Sequence, residues 1–131
     1  MQRILYLIAL AFMLSIVMMV GCKSTPVKLE LEIRRAPIHE VRINIAESYP
    51  QQVFVYIKGG LADSCTTFHE LTTKRSGNTI NIEVTVKRPK NSICAQVYGY
   101  FEKNENLGID FTSGETYTIN VNDETTSFVM Q

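Results

Sequence analysis

Three cysteines, two histidines and a scatter of acids are the residues of this 131-residue chain whose types suit chemistry. Cys65 and Cys94 close a loop of about 30 residues. As a pair of thiols in an exported chain they are expected to form a disulfide, contributing about 3–4 kcal/mol on the chain-entropy account. They lack the C-x-x-C spacing of a redox pair or a zinc ligand set. His39 and His69 are each followed by glutamate, which invites a zinc or copper site of imidazole and carboxylate. Neighbouring strand residues point to opposite faces, so one His-Glu dipeptide cannot chelate one ion; a site would need His39 and His69 to meet. Asp63, Asp110, Asp123 and Glu124 fall in turns without the spacing of a calcium loop. No G-x-S-x-G, P-loop or G-x-G-x-x-G occurs, and no nucleophile has a base and an orienting group placed for it. The expectation is a protein without catalytic residues, cofactor or resident metal.

Recognition is the chemistry that remains. Tyr98, Tyr100 and Phe101, with Phe54 and Tyr56, are candidates for an exposed aromatic platform, because tyrosine joins apolar area to a polar tip. Tyr98 and Tyr100 are two apart on one strand and so share a face. Asp63 lies beside Cys65 in the stretch 60–69, which with 103–114 is the loop region expected to meet a partner, since loops on a rigid scaffold carry recognition. Asp63, Tyr98 and Tyr100 are therefore the predicted binding residues. The basic clusters Arg34-Arg35, Lys74-Arg75 and Lys87-Arg88-Pro89-Lys90 are interleaved with acids and predict solvated faces.

The N-terminus decides where such a module works. Met1-Gln2-Arg3 carries one positive charge, and Ile4 to Val20 holds only the Tyr6 and Ser15 hydroxyls as polar side-chain groups. This is the pattern of a secretory signal, although 17 residues at 1.5 Å rise also reach about 25 Å, the length of a marginal membrane span. Met19-Val20-Gly21-Cys22 resembles the bacterial lipobox, in which a small residue precedes a cysteine that is acylated and becomes the first residue after cleavage; Met19 stands where leucine is usual. The resemblance implies a signal peptide over 1–21, lipidation at Cys22, a short tether over 22–26 and a domain over 27–131 in the cell envelope, outside the cytoplasm. Cleavage would leave 12 basic against 13 acidic residues, too balanced a charge to favour nucleic acid.

The elements that must position these residues are strands. Val27, Leu29, Leu31 and Ile33 alternate with polar residues, as do Val41, Ile43 and Ile45, and Ala36-Pro37 divides them. These two runs are expected to be halves of one edge region, each burying one face. Residues 52–58, QVFVYIK, are apolar on successive positions, which predicts a central strand covered on both faces and ended by Gly59-Gly60. Residues 69–75 and 79–88 flank Ser76-Gly77-Asn78 as a hairpin, with Ile80, Ile82, Val84 and Val86 on one side. A strand from Cys94 through Lys103, one carrying Tyr117, Ile119 and Val121, and a short last strand over 127–130 complete the set. Seven or eight strands without a helical stripe predict an all-β, immunoglobulin-like sandwich.

The stretches GGLADSCTTF, CAQVYGYFEK and TYTINVND resemble a recurring domain of exported proteins and lipoproteins in bacteria and archaea, built around a Gly-Leu-x-Asp-x-Cys-Thr loop, a Cys-x-Gln-Val-Tyr strand and a Tyr-Thr-x-x-Val-Asn-Asp end. The resemblance spans residues 36–123, with Ser113-Gly114 where that family usually has Pro-Gly. It implies a β-sandwich and transfers no catalytic or ligand residue. The function expected is a lipid-anchored extracytoplasmic module that binds a protein or surface polymer through its loops and is attached to the membrane through Cys22. The alternatives are a metal-binding or redox envelope protein using His39, His69 and the cysteines, a structural accessory subunit, and a peptidase inhibitor-like domain.

Overall fold

A computed structural model describes Met1 and residues 30–131 of the chain. Cleavage before Cys22, its lipidation and the tether over 22–26 concern residues outside the described ones. Eight strands follow in order: β1 Leu31–Arg35, β2 Ile38–Ile45, β3 Val53–Leu61, β4 Thr67–Ser76, β5 Thr79–Pro89, β6 Gly99–Gly108, β7 Thr116–Val121 and β8 Glu124–Val129. Among the described residues no helix is long and apolar enough to cross a membrane.

The strands form two sheets, a three-stranded one ordered β2-β3-β6 and a five-stranded one built on β5. β4 pairs antiparallel along one edge of β5. The other edge is shared, with β7 running parallel beside Thr79 to Ile82 and β1 antiparallel beside Thr85 to Pro89; β8 extends the sheet from β7. Alternation explains the core: Ile80, Ile82, Val84 and Val86 of β5 and Ile119 and Val121 of β7 pack against Val55 and Ile57 of β3, all essentially inaccessible to solvent. Phe68 of β4 and Phe101 of β6 meet across the layers with ring centroids 5.4 Å apart. The two-layer, all-β sandwich predicted from the sequence is thus the observed fold.

Several local expectations need correction. β1 and β2 are not halves of one edge: Ala36-Pro37 is where the chain leaves the five-stranded sheet and enters the other, and proline suits such a corner because it surrenders no ladder hydrogen bond. The alternation of β1 does not bury a face, since Leu31 and Ile33 stand beside Pro89 and Lys87 on the outer surface and remain exposed. β3 is central but layered on one side only; its outward Phe54, Tyr56 and Lys58 are half-buried among cross-strand neighbours. Nor do Gly59 and Gly60 end it, for β3 continues through both to Leu61. The hairpin turn is the two-residue Gly77-Asn78, with Ser76 paired to Thr79 and Gly77 at φ +58°. β6 starts at Gly99 rather than at Cys94, and residues 92–98 form no ladder.

Candidate functional site

The end of the sandwich where β3 and β5 finish is organised by Asp63. Its Oδ1 accepts hydrogen bonds from the Thr66 hydroxyl at 2.7 Å, the Thr66 amide at 2.9 Å and the Cys65 amide at 3.1 Å, and its Oδ2 accepts from Arg88 Nε at 2.7 Å. The Thr66 hydroxyl above all, then Arg88 and the two amides, hold this carboxyl at about 2 against the opposing effect of burial. Asp63 is only 8% exposed. Its role is to fold the turn that carries Cys65, and it is not presented to a ligand as the sequence suggested.

Cys65 is bonded to Cys94, so the predicted disulfide is present. Arg88 contributes again, donating through Nη2 to the Ser92 carbonyl at 3.3 Å. The basic cluster at 87–90 is therefore not a solvated face throughout. The signal was available in the sequence, because Arg88 stands two residues after Val86 and continues the inward phase of β5. Ser64 completes the clamp: its amide donates to the Ala95 carbonyl at 3.1 Å, and its Oγ accepts from the Ala95 amide at 3.0 Å. An irregular segment is thereby fixed to the loop of residues 62–66 by one covalent bond and two hydrogen bonds.

The fixed segment delivers Tyr98 and Tyr100 to the outer face of the three-stranded sheet. Tyr98 Oη and His39 Nε2 are 2.6 Å apart, and His39, Tyr98 and Tyr100 pack edge to face with centroids 5.4–5.8 Å apart. Tyr100 lies opposite Gly60 in the β3–β6 register. A Cβ on Gly60 would collide with the Tyr98 hydroxyl and with His39 Nε2, so glycine there lets both side chains lie across β3. Lys58 Nζ sits 4.7 Å from the centre of the Tyr100 ring. The face continues to Tyr56, with Arg42 4.3 Å over its ring; partial desolvation and the hydrogen bond to Glu102 raise the Tyr56 hydroxyl above its usual value. Tyr98 and Tyr100 nonetheless stay 46% and 57% exposed.

Tyr98 and Tyr100 are exposed on the same outer face as the half-buried Phe54 and Tyr56, and the membership of that face differs from the expected one in two places. Phe101 points the other way, into the core, and His39 joins. Sequence periodicity could not place His39, because the β2–β3 register shifts between Ile38 and Glu40. His39 and His69 lie on strands of different sheets, and no grouping of three or more ligand-type side chains among the described residues includes either. Among the described residues the one grouping of ligand-type atoms is Asp63, Cys65 and Cys94. Its two sulfurs are bonded to each other and its carboxylate is bonded to Arg88, a donor set that does not suit a metal.

Comparison with known proteins agrees with this architecture. The chain is 46% identical over 86 residues, 66% of its length and 90% of the relative's, to a protein of Herpetosiphon aurantiacus called "Uncharacterized 10.2 kDa protein in HgiCIIM 5'region". It is 47% identical over 76 residues, 58% of its length and 92% of each relative's, to two proteins of the same organism bearing that description for the HgiBIM and HgiEIM 5' regions. No solved structure matches. Residues 55–130 match the family model described as the ORF11 beta-sandwich domain, a stretch that runs from within β3 through β8 and takes in the disulfide, its clamp, Tyr98 and Tyr100. The chain belongs to the ORF11 beta-sandwich domain family.

Proposed function

We propose that the protein is a non-catalytic binding module, anchored outside the cytoplasm through acylated Cys22, which engages an envelope protein or surface polymer with the aromatic face of its three-stranded sheet. The observation that carries this reading is the presentation of Tyr98 and Tyr100: both rings are exposed and packed with His39, Tyr98 on the disulfide-clamped segment and Tyr100 on β6. Aromatic side chains fixed before binding lose little freedom on contact, which is why they dominate recognition surfaces. The lipobox-like Met19-Val20-Gly21-Cys22 supports the anchor. The same face suits a peptide chain or a sugar, since each tyrosine offers apolar area and a hydroxyl.

The experiment is affinity capture from native envelope and surface-polymer fractions with the mature protein, alongside a Tyr98→Ala/Tyr100→Ala variant that retains its unfolding midpoint. Retention by the parent protein and weakening of about tenfold or more in the variant is the expected result, the scale of losing one aromatic hot spot. Equal capture by both proteins refutes the aromatic face.

A further inference from the structure

The chain enters the domain at the disulfide end. The Glu30 carbonyl accepts from the Lys90 amide at 2.8 Å, and Lys90 Nζ lies 3.6 Å from the Glu30 carboxylate. From there β1 runs away from that end beside β5, with Leu31 opposite Pro89 and Ile33 opposite Lys87. Four exposed apolar side chains belong to this part of the domain: Leu31 and Ile33 on the outer surface of the five-stranded sheet, Val97 in the clamped segment, and Ile93, which is wholly exposed at its tip. Ile93 is held out by the Arg88 contact to Ser92 on one side and by the disulfide on the other. A rigid loop that keeps a bare isoleucine in water lacks a folding reason to do so.

We infer that this end of the sandwich rests on the bilayer that holds Cys22, with Ile93 inserted at the lipid interface; the inference depends on the anchor proposed above. Seven residues, 23–29, separate Cys22 from Glu30, eight Cα–Cα steps in all. Fully extended they span at most about 29 Å, about the width of a domain this size, whose radius of gyration is about 13 Å. The tether therefore keeps the entry end near the membrane at all times. Contact is then intramolecular, with an effective concentration in the millimolar range, so a small apolar patch suffices to hold it. Docking there turns the opposite end, with the wholly exposed Tyr49, away from the bilayer, and leaves the aromatic face standing beside it.

The chain contains no tryptophan, so a single introduced indole is an unambiguous probe. Ile93→Trp and, as control, Tyr49→Trp are made in the full chain. The processed, acylated proteins are reconstituted in phosphatidylethanolamine–phosphatidylglycerol vesicles whose acyl chains carry a quencher near the headgroup. The expected result is a blue shift and loss of emission for Ile93→Trp and a water-like, unquenched spectrum for Tyr49→Trp. If the proteins float with the vesicles while Ile93→Trp stays water-like, or is shielded only in native envelope fractions that add other proteins, the docked orientation is overturned and the anchor stands. If intact mass shows Cys22 unacylated, the anchor fails and the docking proposal falls with it.

Discussion

Asn122 pairs with Val84 through its side chain as a strand residue would through its backbone: the Val84 amide donates to Asn122 Oδ1 at 2.9 Å, and Asn122 Nδ2 donates to the Val84 carbonyl at 2.9 Å. The same Nδ2 donates to the Ala36 carbonyl at 2.8 Å, while the Asn122 amide donates to the Ile82 carbonyl at 3.0 Å. Asn122 thus occupies the gap along β5 where β7 stops and β1 has not yet begun. Its φ of +53° is one that asparagine tolerates better than most side chains.

Replacing it tests that splice. Asn122→Ala leaves the Val84 amide and the Ala36 carbonyl without this partner in a part-buried site, where each orphaned group costs about 1–3 kcal/mol. The expected loss is about 2–4 kcal/mol in urea unfolding, with Asn122→Asp intermediate because it keeps the acceptor and loses the donor.

Asp63 makes stability depend on acid. Its folded-state value of about 2 lies below the ordinary 3.8, so the carboxylate contributes above pH 4 and its contribution disappears as pH falls toward 2. Asp63→Asn is expected to unfold at lower urea than the parent protein at neutral pH, with the difference shrinking as both are titrated to about pH 2. A constant difference across that range would show that the charge on Asp63 is immaterial.

The disulfide closes a loop with a sequence separation of 29, for which removal costs about 3–4 kcal/mol. Paired Cys65→Ser and Cys94→Ser substitutions are expected to lower stability by that amount at equilibrium. They also free the segment that holds Tyr98, so partner affinity falls even under conditions where the sandwich remains folded.

Two adjacent glycines separate packing from recognition. A Cβ on Gly59 runs into the ring of Phe101, which sits between the sheets and cannot withdraw; Gly59→Ala is expected to cost about 1–3 kcal/mol by overpacking. A Cβ on Gly60 presses on the far ends of Tyr98 and His39, exposed side chains that yield outward at the cost of their mutual contact. Gly60→Ala is expected to leave the unfolding free energy from urea titration within about 1 kcal/mol of the parent, change the near-ultraviolet circular dichroism of the tyrosines, and weaken capture of the partner.

What the sequence disclosed was whatever obeys a period of two. Ile80 to Val86 and Tyr117 to Val121 announced their strands and inward faces, and Tyr98 with Tyr100 announced a shared outward one. Features set by long-range pairing were not legible. Leu31 and Ile33 alternate as cleanly as the core residues, yet β1 has no layer over its outer face, and alternation alone cannot reveal which side the second sheet takes. His39 was displaced from its phase by a bulge. Asp63 looked like a loop acid because its partner Arg88 is 25 residues away, and nothing in the local pattern marked Asn122, which serves groups up to 86 positions distant.

The placement of β1 has a mechanical consequence. Tension on the segment preceding Glu30 enters the domain through the Leu31–Pro89 end of a five-residue edge strand. The ladder then opens one pair at a time, the geometry of a zipper rather than of a sheared sheet. The peel reaches Arg35 and meets Asn122, whose bond to Ala36 ties the strand to the middle of β5. β1 is therefore a fuse: it can lengthen the linker under load while the disulfide, the tyrosines and both core layers stay intact.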